Sequence, residues 1–273
     1  QICKFAQMNS KIFYIIVLTL FSFVAKAQND TINQLDAQGR KQGKWVKYHE
    51  NGQPRYVGQF KDNKPVGEFF YYDEEGNLTT YMVFDGNVAR ATMYFPDGKI
   101  MAKGKYVNQQ KDSLWLYYDA YDSFVVSDEF YENGKKQGTE HFYYPDGKLL
   151  ETRVYENGVE NGPWIQYYDN GKKKMEATFE NGSLNGKVTH YYYSGKPEII
   201  GYYHKDLRHG VWTYYSEDGK VDRQVTYQNG ECVKGCQENI EKPVEEKDKI
   251  YKDQLEPEDF MPGGILYNPK SKP

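Results

Sequence analysis

Gly162-Pro-Trp-Ile-Gln-Tyr-Tyr-Asp-Asn-Gly171, continued by Lys172-Lys-Lys-Met-Glu-Ala-Thr-Phe179 and closed by Glu180-Asn-Gly182, is the stretch whose reading decides the fold. Aromatic and β-branched residues favour extended backbone, and Asn-Gly supplies the positive φ that a tight turn requires. The stretch therefore reads as one β-hairpin, turning at Asp169 to Gly171 and turning again at Glu180 to Gly182. Copies of it flank it on both sides. Tyr167 has counterparts at Tyr48, Tyr72, Tyr94, Tyr118, Tyr143, Tyr191 and Tyr215, a spacing of about 24 residues. Each of these anchors is followed twelve residues later by a second aromatic: Phe60, Phe84, Tyr106, Phe130, Tyr155, Phe179, Tyr203 and Tyr227. Glycine precedes the anchor by five residues in six copies, and follows it by four in seven. Ala89, Ser113 and Asp122 are the exceptions, which makes the third and fourth copies the degenerate ones.

Repeats of this length stack on their neighbours and need no large central core. Alternation along the strand puts Trp164 and Tyr168 on one face and Ile165 and Tyr167 on the other, so both faces are partly apolar. Trp45, Trp115 and Trp212 set against Tyr48, Tyr118 and Tyr215 repeat that arrangement. The expected fold is all-β: an elongated single-layer antiparallel sheet of about eight stacked hairpins over residues 43–230. Sixteen strands would make a ribbon on the order of 75 Å long, which must twist. Residues 28–42 read as an N-terminal cap, with Asp36-Ala-Gln-Gly39 resembling half a repeat. Residues 231–273 read as a C-terminal cap and flexible tail, with a short helix from about Val244 to Leu255.

Met8, Lys11, the apolar run Ile12 to Val24 and Ala25-Lys-Ala27 have the layout of a secretory signal peptide cleaved after Ala27. The run is too short to span a bilayer, and residues 1–7 read as an over-extended or incomplete start. Removing residues 1–27 takes away Lys4, Lys11 and Lys26 and no acid, which moves the formal charge from −4 to −7. An acidic mature chain argues against nucleic acid and anionic lipid as partners, since both demand a basic face. Cys3 goes with the signal and leaves Cys232 and Cys236, an even pair suited to a disulfide in an oxidising compartment.

The pattern Gly-x-Trp-x-x-Tyr-x-x-x-Gly, closing on an aromatic and Asn-Gly, resembles the variant MORN repeat of bacterial proteins and the YwqK type, a group labelled as toxin-antitoxin antitoxins. It covers about two-thirds of the chain. The resemblance implies a meander of stacked hairpins with a binding or scaffolding role, and brings no catalytic residues with it. Eukaryotic MORN proteins imply membrane contact, against which the acidic chain weighs.

Chemistry finds little footing in the sequence. His49, His141, His190, His204 and His209 fall at unrelated repeat positions and make no metal motif. Gly182-Ser-Leu-Asn-Gly186 lacks the order of a nucleophile elbow, and the acidic turns lack calcium-loop spacing. No cofactor or metal is expected, and no enzyme. The leading expectation is an exported protein, periplasmic, envelope-associated or secreted, that binds another protein through its aromatic rows. Trp45, Trp115, Trp164 and Trp212 are its candidate binding-face residues. A cell-wall glycan stacked on the same rings is one alternative, and an antitoxin or immunity protein is another. The break from Ser113 to Ser127 is where a functional insertion would lie.

Overall fold

The computed structural model describes residues 31–236. The proposed signal peptide, its cleavage site at Ala27 and the helix proposed near Val244 lie outside the described residues.

Strands from Gln34–Leu35 to Glu231–Lys234 pair antiparallel with their neighbours in chain order, and no described residue is helical. The result is one open sheet in a single layer, as the two-faced apolar pattern implies. Two strands are interrupted, at Gln137 and Asn185, whose amides reach back to the carbonyls of Phe130 and Thr178. At the start, Gln34 and Leu35 pair with Gln42 and Lys41 around the Asp36–Gly39 turn. At the end, Glu231–Lys234 adds a strand to Val221–Gln228, past the last repeat.

The turns explain why the array keeps its register. Connections between hairpins place two successive residues at positive φ, as at Asn157 (54°) and Gly158 (88°), the geometry that matches strand twist. Their amides then bond the preceding connection: Gly158 N to Lys136 O at 2.8 Å, Gly182 N to Glu160 O at 2.8 Å. On the opposite edge, the residue after the anchor reaches the next anchor's carbonyl in four copies. Tyr144, Tyr168 and Tyr192 donate their hydroxyls to the carbonyls of Tyr167, Tyr191 and Tyr215 at 2.8, 2.7 and 2.6 Å. His49 makes the same contact with Tyr72 O at 2.9 Å. The fifth and sixth repeats are thus stitched to their successors along both edges.

The two faces differ more than alternation suggests. Most of the glycines five residues before the anchor sit at positive φ in β-bulges that leave several residues opposite one on the preceding strand. That kink drops the ring three residues before the anchor onto the neighbouring backbone. Phe69 lies on Gly58, Trp115 on Gly104 and Trp212 on Gly201, so close that a Cβ on any of these glycines would fall within 2.3 Å of ring atoms. The second aromatic of several hairpins closes edge-on, as Tyr106 on Trp115 at 5.0 Å and Tyr203 on Trp212 at 5.3 Å. This inner face carries two buried apolar clusters. One holds Ala89, Ala91, Ala102, Tyr106, Trp115 and Tyr131, and the other Met175, Ala177, Val188 and Trp212.

Phe130 is not the inner aromatic of the fourth hairpin. Its turn runs from Asp119 to Phe124, where the Asp119 amide meets the Phe124 carbonyl, one residue longer than the five-residue turns such as Tyr144 to Lys148. The extra residue moves Tyr131 into the inner row opposite Ser113, the place that Phe60 holds opposite Gly43. Phe130 is turned outward and is 41% exposed.

Candidate functional site at the irregular fourth hairpin

The tryptophans are structural. Trp115 is 0% exposed and Trp212 2%, and their indole N–H groups donate to the carbonyls of Lys105 and Tyr202, both at 3.2 Å. Neither ring can meet a ligand, which corrects the expectation that these residues form a binding face. Trp45 and Trp164 are half-buried, capped by Lys41 at 4.7 Å and Arg153 at 5.3 Å. Burying a ring on the inner face removes more apolar area from water than leaving it as a docking row. Cys232 and Cys236 are joined by a disulfide, with Cα atoms 5.9 Å apart, in the last described strand and just after it.

Where the fourth and fifth hairpins meet, the inner face changes character. The ring position of the fifth repeat is Glu140, and opposite it stands Arg153. Lys136 Nζ bridges Glu129 Oε1 at 2.9 Å and Glu140 Oε1 at 2.8 Å, and Tyr131 donates to Glu129 Oε2 at 2.5 Å. Arg153 binds Glu151 and, at 3.0 Å, Glu160, while Gln166 donates to the other Glu151 oxygen at 2.9 Å. Glu140 Oε2 is buried without a hydrogen-bond partner. Burial, together with the neighbouring Glu129 carboxylate and against the pull of Lys136, pushes the Glu140 carboxyl up to about 7. Burial pushes the Tyr117 and Tyr131 hydroxyls up as well, further helped by Glu129. These groups are paired with one another on the inner face, where Glu129 and Glu140 are buried and Lys136 and Arg153 are partly exposed.

On the outer face of the same hairpins, apolar side chains are exposed. Leu114, 50% exposed, pairs across the sheet with Phe130, and Tyr121 at the turn is 83% exposed. Leu116 pairs with Asp128 and Asp128 with His141. His141 Nδ1 lies 2.8 Å from Asp128 Oδ1, and the Tyr143 hydroxyl donates to Asp128 Oδ2 at 2.5 Å. Burial first, then the Asp128 carboxylate, pushes Tyr143 up to about 12, so it stays a donor at neutral pH. Leu116, Phe124, Val125, Asp128, Tyr143 and Gly147 line an open depression of about 430 Å³. Apolar anchors beside a fixed polar group suit the docking of a macromolecular partner. His141 falls at a position that its repeat spacing makes unremarkable, and Phe130 keeps the twelve-residue spacing of the second aromatic yet points outward. The 25-residue step from Tyr118 to Tyr143 was the signal for both. His204 and His209 face each other at 6.1 Å. Among the described residues no three potential metal ligands cluster.

Six segments match the family described as the MORN repeat variant: 41–62, 88–108, 136–157, 160–181, 184–205 and 208–229. The third hairpin is among them, while the second and the irregular fourth fall in the gaps between matches. No curated protein matches the chain. Among solved structures, TarM is 16% identical over 39% of this chain and 20% of that one, with a TM-score of 0.29. TarM of S. aureus in a complex with Fondaparinux, alpha-GlcNAc-glycerol and UDP is 15% identical over 39% and 21%, also with a TM-score of 0.29. A Photorhabdus luminescens Tc holotoxin pore is 13% identical over 74% of this chain and 13% of that one, with a TM-score of 0.21. The chain spans about a fifth of the length of the TarM structures, and nothing further rests on these likenesses.

Proposed function

We propose that this MORN-repeat protein is a non-enzymatic, exported binding module whose protein partner docks on the outer face around Phe130. The observation that carries the reading is the exposed Leu114–Phe130 pair beside the Asp128–His141–Tyr143 group, where the step from Tyr118 to Tyr143 is a residue longer than the usual 24. A regular array offers the same surface at every step, and a register change gives one step a surface of its own. The carboxylates that could do acid–base work are instead locked in ion pairs on the buried face, which favours binding over catalysis. Of the four tryptophans, only the half-buried Trp45 and Trp164 are left for a glycan to stack on. An address in the cell envelope follows from the signal-like segment at Met8 to Ala27 and belongs to the same proposal.

The test places a photo-reactive benzoylphenylalanine at Phe130, at Leu114 and, as a control, at Gln224 on the far end of the same face, in the native cells. One stoichiometric protein linked from 114 and 130 but not from 224 is the expected result. Equal linking from all three positions, or none, would overturn the site, and wall material enriched without protein would return the glycan reading. A secreted toxin as the linked protein would make the module an immunity protein.

A further inference from the structure

The outer face beside the exposed pair is basic. Arg90 pairs across the sheet with Lys105, and Thr92 with Lys103. Lys103 pairs in turn with Leu116. Three cations therefore adjoin Leu114, Leu116 and Phe130 over four neighbouring strands, a width of about 14 Å. Three of the acids near them are already engaged. Asp112 holds Lys105 at 3.2 Å, Asp128 accepts from His141 and Tyr143, and Glu68 accepts the Tyr81 hydroxyl at 2.7 Å. Arg90 and Lys103 are exposed and form no ion pair among the described residues. In a chain of net charge −4, such a patch fits an acidic segment that also carries apolar side chains.

The chain contains one. Asp253, Glu256, Glu258 and Asp259 fall within fifteen residues that hold no base and also carry Phe260, Ile265, Leu266 and Tyr267. The reach suffices. Nine strand steps separate Glu231–Lys234 from Val125–Glu132, about 43 Å along the sheet. The residues from Cys236 to Asp253 span at most about 58 Å when extended, whereas a segment that ended before about residue 249 would fall short. We propose that residues 253–267 dock on the outer face of their own chain at Arg90, Lys103, Leu114 and Phe130, and so compete with whatever binds there. As regulation of the binding face, this rests on the reading above.

The experiment uses the purified full-length protein with benzoylphenylalanine in place of Phe130. Illumination is expected to link residue 130 to a peptide within 253–267 in a monomeric product, at high and low protein concentration alike. Combining Arg90→Glu with Lys103→Glu should lower the yield on the order of tenfold, as the loss of two screened contacts with sign reversal implies. Adding Glu258→Lys and Asp259→Lys should restore it, and that rescue separates lost docking from lost folding. Links between two chains, links from a probe at Tyr202 in place of 130, or yields indifferent to the charge reversals would overturn the inference. No partner is present, so the two proposals fail separately. A tail link in pure protein with no partner link in cells leaves the docking standing and removes the function, and the opposite pair of results does the reverse.

Discussion

Glu140 shows how much one residue can change within a repeat. It stands where Trp45, Phe69, Trp115 and Trp212 stand in other copies, 3% exposed, and its partner Lys136 must serve Glu129 as well. Two buried carboxylates around one ammonium leave one negative charge too many, and a proton on Glu140 removes it. The folded carboxyl therefore titrates near 7, against 4.5 ordinarily. Between those two values the folded state holds a proton that the unfolded chain has released, so the contribution of Glu140 to stability falls as pH rises from about 4.5 to 7. Glu129 is held below its usual range, chiefly by Lys136 overcoming burial, and stays ionised throughout that window. Thermal unfolding measured from pH 5 to pH 8 should show a loss of roughly 2 kcal/mol in the parent. Glu140→Gln should flatten the profile; a slope that persists in the variant would mean another group carries the proton. The sequence shows a glutamate in a ring position, but not that Lys136 and Glu129 converge on it, because the longer turn of the fourth copy sets that convergence.

At the scale of the element, the β-bulge is the working part of each repeat. Where glycine stands at the bulge, as at Gly67 and Gly210, the kink forms and the following ring lands on the neighbouring strand. Ala89 has no bulge, its strand pairs with Leu78–Asp85 without a register shift, and the ring position is filled by Ala91. Ser113 keeps the bulge without glycine, at a φ of 62°, and carries Trp115 onto Gly104 regardless. A side chain at that φ costs about 1 kcal/mol, part of which the Ser113–Asp112 hydrogen bond at 2.8 Å offsets. Ser113→Gly should therefore raise stability by about 0.5 to 1 kcal/mol in denaturant unfolding followed by tryptophan fluorescence. A destabilised variant would show that the hydroxyl, and not backbone freedom, holds this bulge. Absent glycines at 89 and 113 both read as degeneracy in the sequence, yet only one of them lost the element. The strain at Ser113 does not show in the sequence, because a hydrogen bond to Asp112 offsets part of it.

Over the whole molecule, the two apolar clusters are separated by the ion-paired stretch from Glu129 to Glu160. In a stacked array each repeat contacts only its neighbours, so local stability follows local packing. Hydrogen exchange should show two maxima of protection, around Trp115 and around Trp212, with a minimum between residues 140 and 153; a single central maximum would show that the charged layer is as well bonded as the apolar ones. The spacing of tyrosine, glycine and Asn-Gly by itself determined the strands, the turns and the single-layer sheet, because turn geometry and strand alternation are properties of a few adjacent residues. Which face would be buried was settled only by the tertiary structure. Both faces carry rings, and the bulge that tips one set onto the neighbouring glycines acts between strands that lie about eleven residues apart, as Gly104 and Trp115 do. Trp115 and Trp212 are for that reason at the centre of the packing, and on the opposite face one extra turn residue put Phe130 in water.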